Sequence, residues 1–337
     1  MNHKMKRKFK ICAIAKDEGA YLSEWVFHHH YFGFDSITVY VNRTTDNSNQ
    51  ILEKLKLIVP GLDYEVVDWI DFCNDSVKSN IQNIAYAYDI NKSKSMDVDY
   101  WLPIDIDEFW TPSDFSTKIN DFVNSISIDE KCIAFPWYCE LGSEIPFSQF
   151  SPDSKFYCGR HVKTLVPKPW ENIRKVRVHK PILRKGRVYN PFGDISIFDK
   201  GNPQKLRNTP SKDQQAYIVH RMYRSEVEYL SMLYKPQVSG KTDIKTNRQG
   251  YRSVHSNMGT RFDWPIEAYN KYMSEKREFM QNLNAEELIS YSQDRVLSNA
   301  YLVEKKFDML LASDENSRSV VNKAARGTRY DSKYLRR

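Results

Sequence analysis

The first 140 residues alternate β-branched and aromatic runs with segments of helical spacing, and that alternation leaves few folds open. Phe9–Ala15, Ser36–Val41, Tyr64–Val67, Tyr100–Ile106 and Cys132–Tyr138 read as strands. Between them, Gly19–Tyr31, Ser48–Leu57, Ser76–Asn91 and Lys118–Ser125 read as helices, the first with Tyr21, Leu22, Trp25, Val26 and His29 on one buried face. Such a pattern predicts an α/β fold with a mostly parallel, doubly wound sheet flanked by helices. Sheets of this kind bind ligands beyond the carboxyl ends of their strands. Three polar clusters fall at such ends: Lys16–Glu18, Asn42–Asp46 and the acids that follow Ile104.

The last cluster lies in W-L-P-I-D-I-D-E-F-W, Trp101–Trp110. Read as a strand end, it points Asp105 and Asp107 to the same side, because residues two apart share a face. Two carboxylates held close raise each other's proton affinity unless a cation lies between them. A divalent ion is the simplest resolution, and oxygen ligands favour Mg²⁺ or Mn²⁺, which keep positions open for phosphate oxygens. A solvated turn is the plainer alternative, against which stand the apolar Trp101, Leu102, Ile104, Ile106, Phe109 and Trp110. Glu108, on the opposite side of the expected strand, is placed outside the site.

A chain of 337 residues, 41% hydrophobic, can build one large domain or two ordinary ones. Its five cysteines lack any C-x-x-C pair, which suggests reduced thiols and a cytoplasmic protein. The apolar run Ile11–Ala15 is too short for a signal segment or a membrane span. Charge is uneven: residues 1–150 carry 14 Lys and Arg against 23 Asp and Glu, whereas residues 151–337 carry 36 against 20. The basic part could meet a polyanion, a diphosphate leaving group or an anionic membrane surface.

Residues 140–220 read as loops and short strands (Lys163–Val166, Val176–His179, Ile182–Leu183, Tyr217–His220), suited to an acceptor-binding region. Helical spacing then covers Ser225–Tyr234, Pro265–Asn282 and Ala285–Ala312. The tail from Arg318, with Arg326, Arg329, Lys333, Arg336 and Arg337, has little apolar content and is expected to be mobile. The expected division is a catalytic domain, 1–224, and a helical, basic region, 225–337.

The segment C-A-I-A-K-D-E-G-A-Y-L-S-E-W (Cys12–Trp25), with His29, Gly33, Phe34 and Asp35, resembles the opening of bacterial glycosyltransferases related to families 2 and 92. I-D-I-D-E-F (Ile104–Phe109) is similar to their D-x-D-E-F, Gln82–Tyr86 to a helix that precedes it, and V-H-R-M-Y-R-S-E-V-E-Y-L (Val219–Leu230) to a later His-containing motif. This resemblance, over most of residues 9–235, implies a GT-A fold, a nucleoside-diphosphate sugar donor, with UDP preferred over GDP, and a glycan or glycolipid acceptor such as lipopolysaccharide or capsule. It places Ala13, Ile14, Lys16, Glu18, Asn42, Asp46, Gln82 and Asp105 at the donor. It also implies Asp105, Asp107 and His220 as the Mn²⁺ or Mg²⁺ site. Thr44 and Thr45 match the loop facing base and ribose. Val41 stands where the family has an acid, so Asn42 or Asp46 would take over base recognition, or that contact is absent. Arg221 stands where the family more often has Tyr.

Charge that develops on the diphosphate calls for cations, for which Lys163, Arg174, Arg221 and Arg224 are candidates. An inverting reaction, implied by the resemblance, needs one general base for the acceptor hydroxyl. Glu140 is favoured, with Glu144, Asp194 and Asp213 as rivals; Asp194 is the second catalytic candidate. Consecutive helical residues fan out by about 100°, so His28, His29 and His30 cannot share an ion; His29 is expected to face the sheet and the other two the surface. His179 is a further ligand candidate. Trp137, Tyr138, Trp170 and Trp264 could stack on sugars, although large aromatics more often serve the core. Rival functions are a sugar nucleotidyltransferase, which would need a glycine-rich loop where K-D-E-G-A supplies only Gly19, and a non-catalytic glycan- or polyanion-binding protein. Nucleic acid is not an expected partner; peripheral contact with the inner membrane through the basic C-terminal region is.

Overall fold

A computed structural model describes residues 6–126, 130–234, 250–251, 259–312 and 315–331, without the side chains of 316 and 317. Strands β1 (Phe9–Ala15), β2 (Ser36–Val41), β3 (Leu62–Val66) and β4 (Tyr100–Pro103) alternate with helices α1 (Leu22–Tyr31), α2 (Ser48–Ile58), α3 (Asp75–Lys78) and α4 (Ile81–Ser93). There follow β5 (Glu108–Pro112), α5 (Ile119–Ser125), β6 (Cys132–Glu140), β7 (Lys155–Pro167), β8 (Ile173–Lys175), β9 (Ile182–Leu183), β10 (Val188–Tyr189) and β11 (Ala216–His220). The chain continues through α6 (Glu226–Leu233), β12 (Thr260–Arg261), α7 (Ile266–Leu283), α8 (Glu286–Leu311) and α9 (Glu315–Ala324).

The principal sheet runs β3-β2-β1-β4-β7-β6-β11-β5. Its first four strands are parallel, joined by helices, as the alternation predicts. Pairing then changes: β7 lies antiparallel to β4, and β11 antiparallel to β5. The fold is thus a mixed α/β, Rossmann-like sheet with a helical C-terminal region.

Several expected boundaries differ. The fourth strand stops at Pro103 instead of Ile106, and Ile104–Asp107 turn into a separate strand, β5. Pro103 brings no N–H to the ladder, and the turn that follows is closed by Glu108 N donating to Asp105 O at 3.0 Å. Ser76–Asn91 forms two helices, the first capped by Asn74, whose Oδ1 accepts from Val77 N. Val176–His179 is not a strand. His28 is buried with His29, since its ring bonds to Trp110 O at 2.8 Å and lies 3.2 Å from Tyr272 Oη on α7; only His30 is exposed.

Two compact units emerge: Met1–Tyr138 with Cys158–His220 and Asp263–Ile289, and Cys139–Tyr157 with Arg221–Phe262 and Ser290–Arg337. They are not divided by one boundary near 224, because α7 packs Tyr272 against Phe27 and Phe32 of the first unit. In the second unit, α6, α8 and α9 close a core of Tyr229, Leu230, Leu233, Val303, Phe307 and Val321. Ser225 starts α6 with a capping box to Glu228. The stretch from Arg318 expected to be mobile is in part helical, because Val321, Ala324 and Ala325 are buried there; Lys333, Arg336 and Arg337 lie outside the described residues.

Beneath the parallel strands sits a buried charge. Asp89 of α4 binds Lys10 Nζ at 2.8 Å and Tyr40 Oη at 3.0 Å through Oδ1, and Trp101 Nε1 at 2.8 Å through Oδ2. Lys10 and Asp89 are 1% and 0% exposed. The carboxylate therefore ties β1, β2 and β4 to one helix. Replacing one member strands the other's charge in the core, so Asp89→Ala should cost about 3–5 kcal/mol in urea unfolding, and Lys10→Met/Asp89→Leu should recover most of that loss.

Candidate active site

Because β1, β2 and β4 are parallel, their carboxyl ends meet at one edge. There the loops after β1 and β2 are laced together. Asp17 N donates to Thr44 Oγ1 at 2.8 Å, Thr45 N to Asp17 Oδ1 at 2.6 Å and Gly19 N to Asp46 Oδ2 at 2.8 Å. Asp46 Oδ1 also accepts from Ser48 N and Oγ, and Ser48 Oγ accepts from Glu18 N at 3.1 Å. Asp46 is thus spent on joining the loops. Asn42 Nδ2 reaches Asp68 Oδ1 at 3.4 Å. Ala13 is fully buried within β1, Ile14 packs against the core, and Lys16 and Glu18 are half-buried. Lys16 has no ion-pair partner among the described residues.

The acidic turn adjoins this edge, with Ile104 N donating to Cys12 O at 3.0 Å. Fully buried Trp25 of α1 clamps it, Nε1 lying 3.0 Å from both Asp105 O and Glu108 O. Asp105 and Asp107 stand on a turn, not along a strand, and their environments diverge. Asp105 Oδ1 accepts from Gln82 Nε2 at 2.5 Å and Tyr86 Oη at 3.1 Å, while Oδ2 lies 3.0 Å from Lys163 Nζ. Lys163 also meets Glu108 Oε2 at 3.0 Å, and both side chains are fully buried. Glu108 Oε2 accepts from Asp105 N at 2.8 Å. The cation that two close carboxylates require is therefore, for Asp105 and Glu108, a lysine of β7. Glu108 belongs to the site, contrary to the strand reading, because the turn swings it back toward Asp105.

Burial pushes the Glu108 carboxyl up to about 7, against the opposing pull of Lys163. Burial likewise drives the Tyr86 hydroxyl well above its usual range. Glu108 Oε1 is buried without a hydrogen-bond partner among the described residues.

Asp107 faces differently. Its Oδ2 lies 3.4 Å from His220 Nε2, and His220 stands opposite Glu108 in the β11–β5 register. The neighbouring strands add a wall of rings: Trp137 of β6 lies 4.1 Å from the His220 ring, 4.8 Å from His161 and 5.1 Å from His179. Burial, reinforced by neighbouring cations, lowers His161 to about 4 and His179 to about 2, so both rings are neutral at physiological pH. Trp170 and Trp264 are core residues.

Among the described residues no three His, Cys, Asp or Glu side chains are grouped to hold a metal ion. Asp107 and His220 offer one oxygen and one nitrogen on neighbouring groups. That suits an ion whose other ligands are water and substrate phosphate. Asp105 is already committed to three donors.

The two base candidates lie elsewhere in the chain. Glu140, 2% exposed, belongs to the second unit, where Oε2 accepts from Arg221 Nε at 2.8 Å. Asp194 is exposed on a turn held by Asn190. Sequence reasoning singled out neither His161 nor Tyr86 and discarded Glu108. Lys163, expected to face the diphosphate, is instead committed to Asp105 and Glu108, and its sequence held a signal for this, since a lysine flanked by Val162, Thr164, Leu165 and Val166 in a buried run must find a carboxylate.

A sheet whose carboxyl edge carries two laced loops and an acidic turn offers the place where α/β sheets bind ligands. The model of glycosyltransferase family 92 matches residues 11–290, and the chain belongs to that family. It is a glycosyltransferase. No curated protein matches it. Among solved structures it is similar to UDP-glucose pyrophosphorylase complexed with UDP-glucose, at 9% identity over 53% of this chain and 74% of that one, with a TM-score of 0.24, a likeness too slight to carry an argument.

Glu108 yields a pH test. Its folded value lies above the usual glutamate value of 4.5, so the folded state keeps a proton that the unfolded chain releases. Its contribution is fully present at low pH and is lost as pH rises from about 4.5 through about 7. The stability difference between wild type and Glu108→Gln, from urea titrations across that window, should shift in favour of the variant with rising pH and level off above it.

Proposed function

We propose that the protein moves a sugar from a nucleoside diphosphate to a glycan hydroxyl, with a divalent cation, Mn²⁺ or Mg²⁺, held through Asp107 and His220. The observation that carries this reading is the Asp107–His220 pair, 3.4 Å apart, at the strand edge where a diphosphate would lie. When bound, the ion would offset charge developing on the diphosphate leaving group. Lys16, uncommitted at the end of β1, is assigned to the same phosphates. Asp105 is assigned to the donor ribose, its carboxylate fixed by Gln82, Tyr86 and Lys163 before substrate arrives. Asn42 and the laced loop around Asp46 are assigned to the base, with UDP as the preferred nucleotide. Trp137 offers a ring face for a sugar.

Asp107→Asn keeps shape and removes charge. With a panel of UDP- and GDP-sugars and Mn²⁺ or Mg²⁺, it should lose at least about a hundredfold in turnover with an unchanged unfolding curve. Full activity in this variant, or no metal-dependent turnover by the wild type with any donor, would defeat the proposal and favour a binding protein.

The reaction is proposed to invert the anomeric centre, with one base at the acceptor. Glu140 and Asp194 separate by experiment: Glu140→Gln should lower transfer while donor hydrolysis persists, whereas Asp194→Asn, on an exposed turn, should leave both within about twofold. The reverse pattern would reassign the base.

A further inference from the structure

A pocket of about 170 Å³ lies away from the acidic turn. It is lined by Val166 and Pro167, which pair with Trp101 and Tyr100 at the start of β4, whereas Asp105 follows the end of that strand. The pocket therefore opens at the edge of the sheet opposite the candidate active site. Four cations line it, Lys131, Lys168, Lys185 and Arg187, against one acid, Glu130. None of the four has an ion-pair partner among the described residues. Lys131 Nζ sits 4.7 Å from the Tyr189 ring, and Lys168 Nζ, which donates to Met96 O at 2.8 Å, sits 5.0 Å from that of Trp170. Lys185 is held through its backbone, N donating to Asn172 Oδ1 and O accepting from Asn172 Nδ2, each at 2.9 Å.

Beside the cations lies exposed apolar surface. Tyr189 forms an antiparallel bridge with Ile195, with Asn190 N donating to Asp194 O and Ser196 N to Val188 O at either side. Residues opposed in this way have neighbouring side chains on one face. Arg187 immediately precedes β10, and Ile197 lies two residues beyond the bridge. Ile195 and Ile197 are 45% and 56% exposed, and Phe192, at the tip between the paired segments, is 44% exposed. The segment around β10 thus lies beside a basic pocket and carries half-exposed branched apolar side chains.

We infer that this face docks on an anionic bilayer, with a lipid phosphate in the Lys131–Lys168–Lys185–Arg187 pocket and Phe192, Ile195 and Ile197 entering the headgroup boundary. The complementarity is double: cations without acids match lipid phosphates, and adjoining exposed apolar side chains match the acyl boundary. A soluble polyanion would satisfy only the cations. None of these residues belongs to the basic C-terminal region, 225–337.

The test is cosedimentation of the full chain with vesicles of phosphatidylcholine alone or mixed equally with phosphatidylglycerol. Wild type should pellet with the anionic vesicles only. Lys185→Glu/Arg187→Glu and, independently, Ile195→Ser/Ile197→Ser should each weaken binding by about tenfold or more, with unchanged thermal unfolding and donor hydrolysis. Phe192→Trp supplies a second readout, a blue shift of emission on adding anionic vesicles. Three results would overturn the inference: undiminished binding by both double variants, loss with the charge reversals but not with the serines, or tight binding of soluble glycerol phosphate that the serines leave intact while vesicles are ignored.

Discussion

Lys163 Nζ decides what the acidic turn can do. A buried ammonium is tolerated only beside opposite charge, and a buried carboxylate only beside a donor or cation. Lys163 supplies that cation to Asp105 and Glu108 at once, 3.0 Å from each. With Gln82 and Tyr86 on the other oxygen, the Asp105 carboxylate is fixed in direction. Asp107 meets a histidine, its Oδ2 3.4 Å from His220 Nε2. The three acids of one short turn thus acquire three characters: a caged anion, a buried acid of raised proton affinity, and a carboxylate paired with a ring nitrogen.

That arrangement holds only while the strands under it stay in register. β1, β2 and β4 each contribute a group to the Asp89 network, and their carboxyl ends carry the two laced loops and the acidic turn. A slip of one residue would invert the faces of Lys10 and Tyr40 and leave Asp89 unpaired in the core. The buried polar hub specifies alignment as much as it stabilises it.

The parallel half was legible because its strands and helices differ in period and are punctuated by Gly33 and by polar loops; β1 and β2 match the expected limits residue for residue. The convergence of the three polar clusters followed from parallel pairing alone. What stayed hidden is what depends on distant partners. The span Tyr100–Ile106 has strand composition throughout, yet Pro103 and the Asp105–Glu108 contact break it, and with the break Glu108 changes sides. His28 sits on a face read as exposed, which α7 covers from more than two hundred residues away. Likewise, Lys163 is 58 residues from Asp105, so nothing local shows which acid it meets.

The uneven charge of the chain also takes on a physical form. The acids of the turn come from the acidic part of the sequence, and the cation that neutralises two of them comes from the basic part. Lys276 of α7 pairs with Glu24 of α1 in the same sense. Part of the asymmetry is therefore spent inside the fold, where it holds segments far apart in sequence against each other. The remainder is not. Lys131, Lys168, Lys185 and Arg187 line one pocket with a single acid among its described residues, and like charges gathered in one place repel. Such a cluster is relieved by an anion, and the exposed isoleucines beside it narrow the choice to an anion that carries an apolar surface with it.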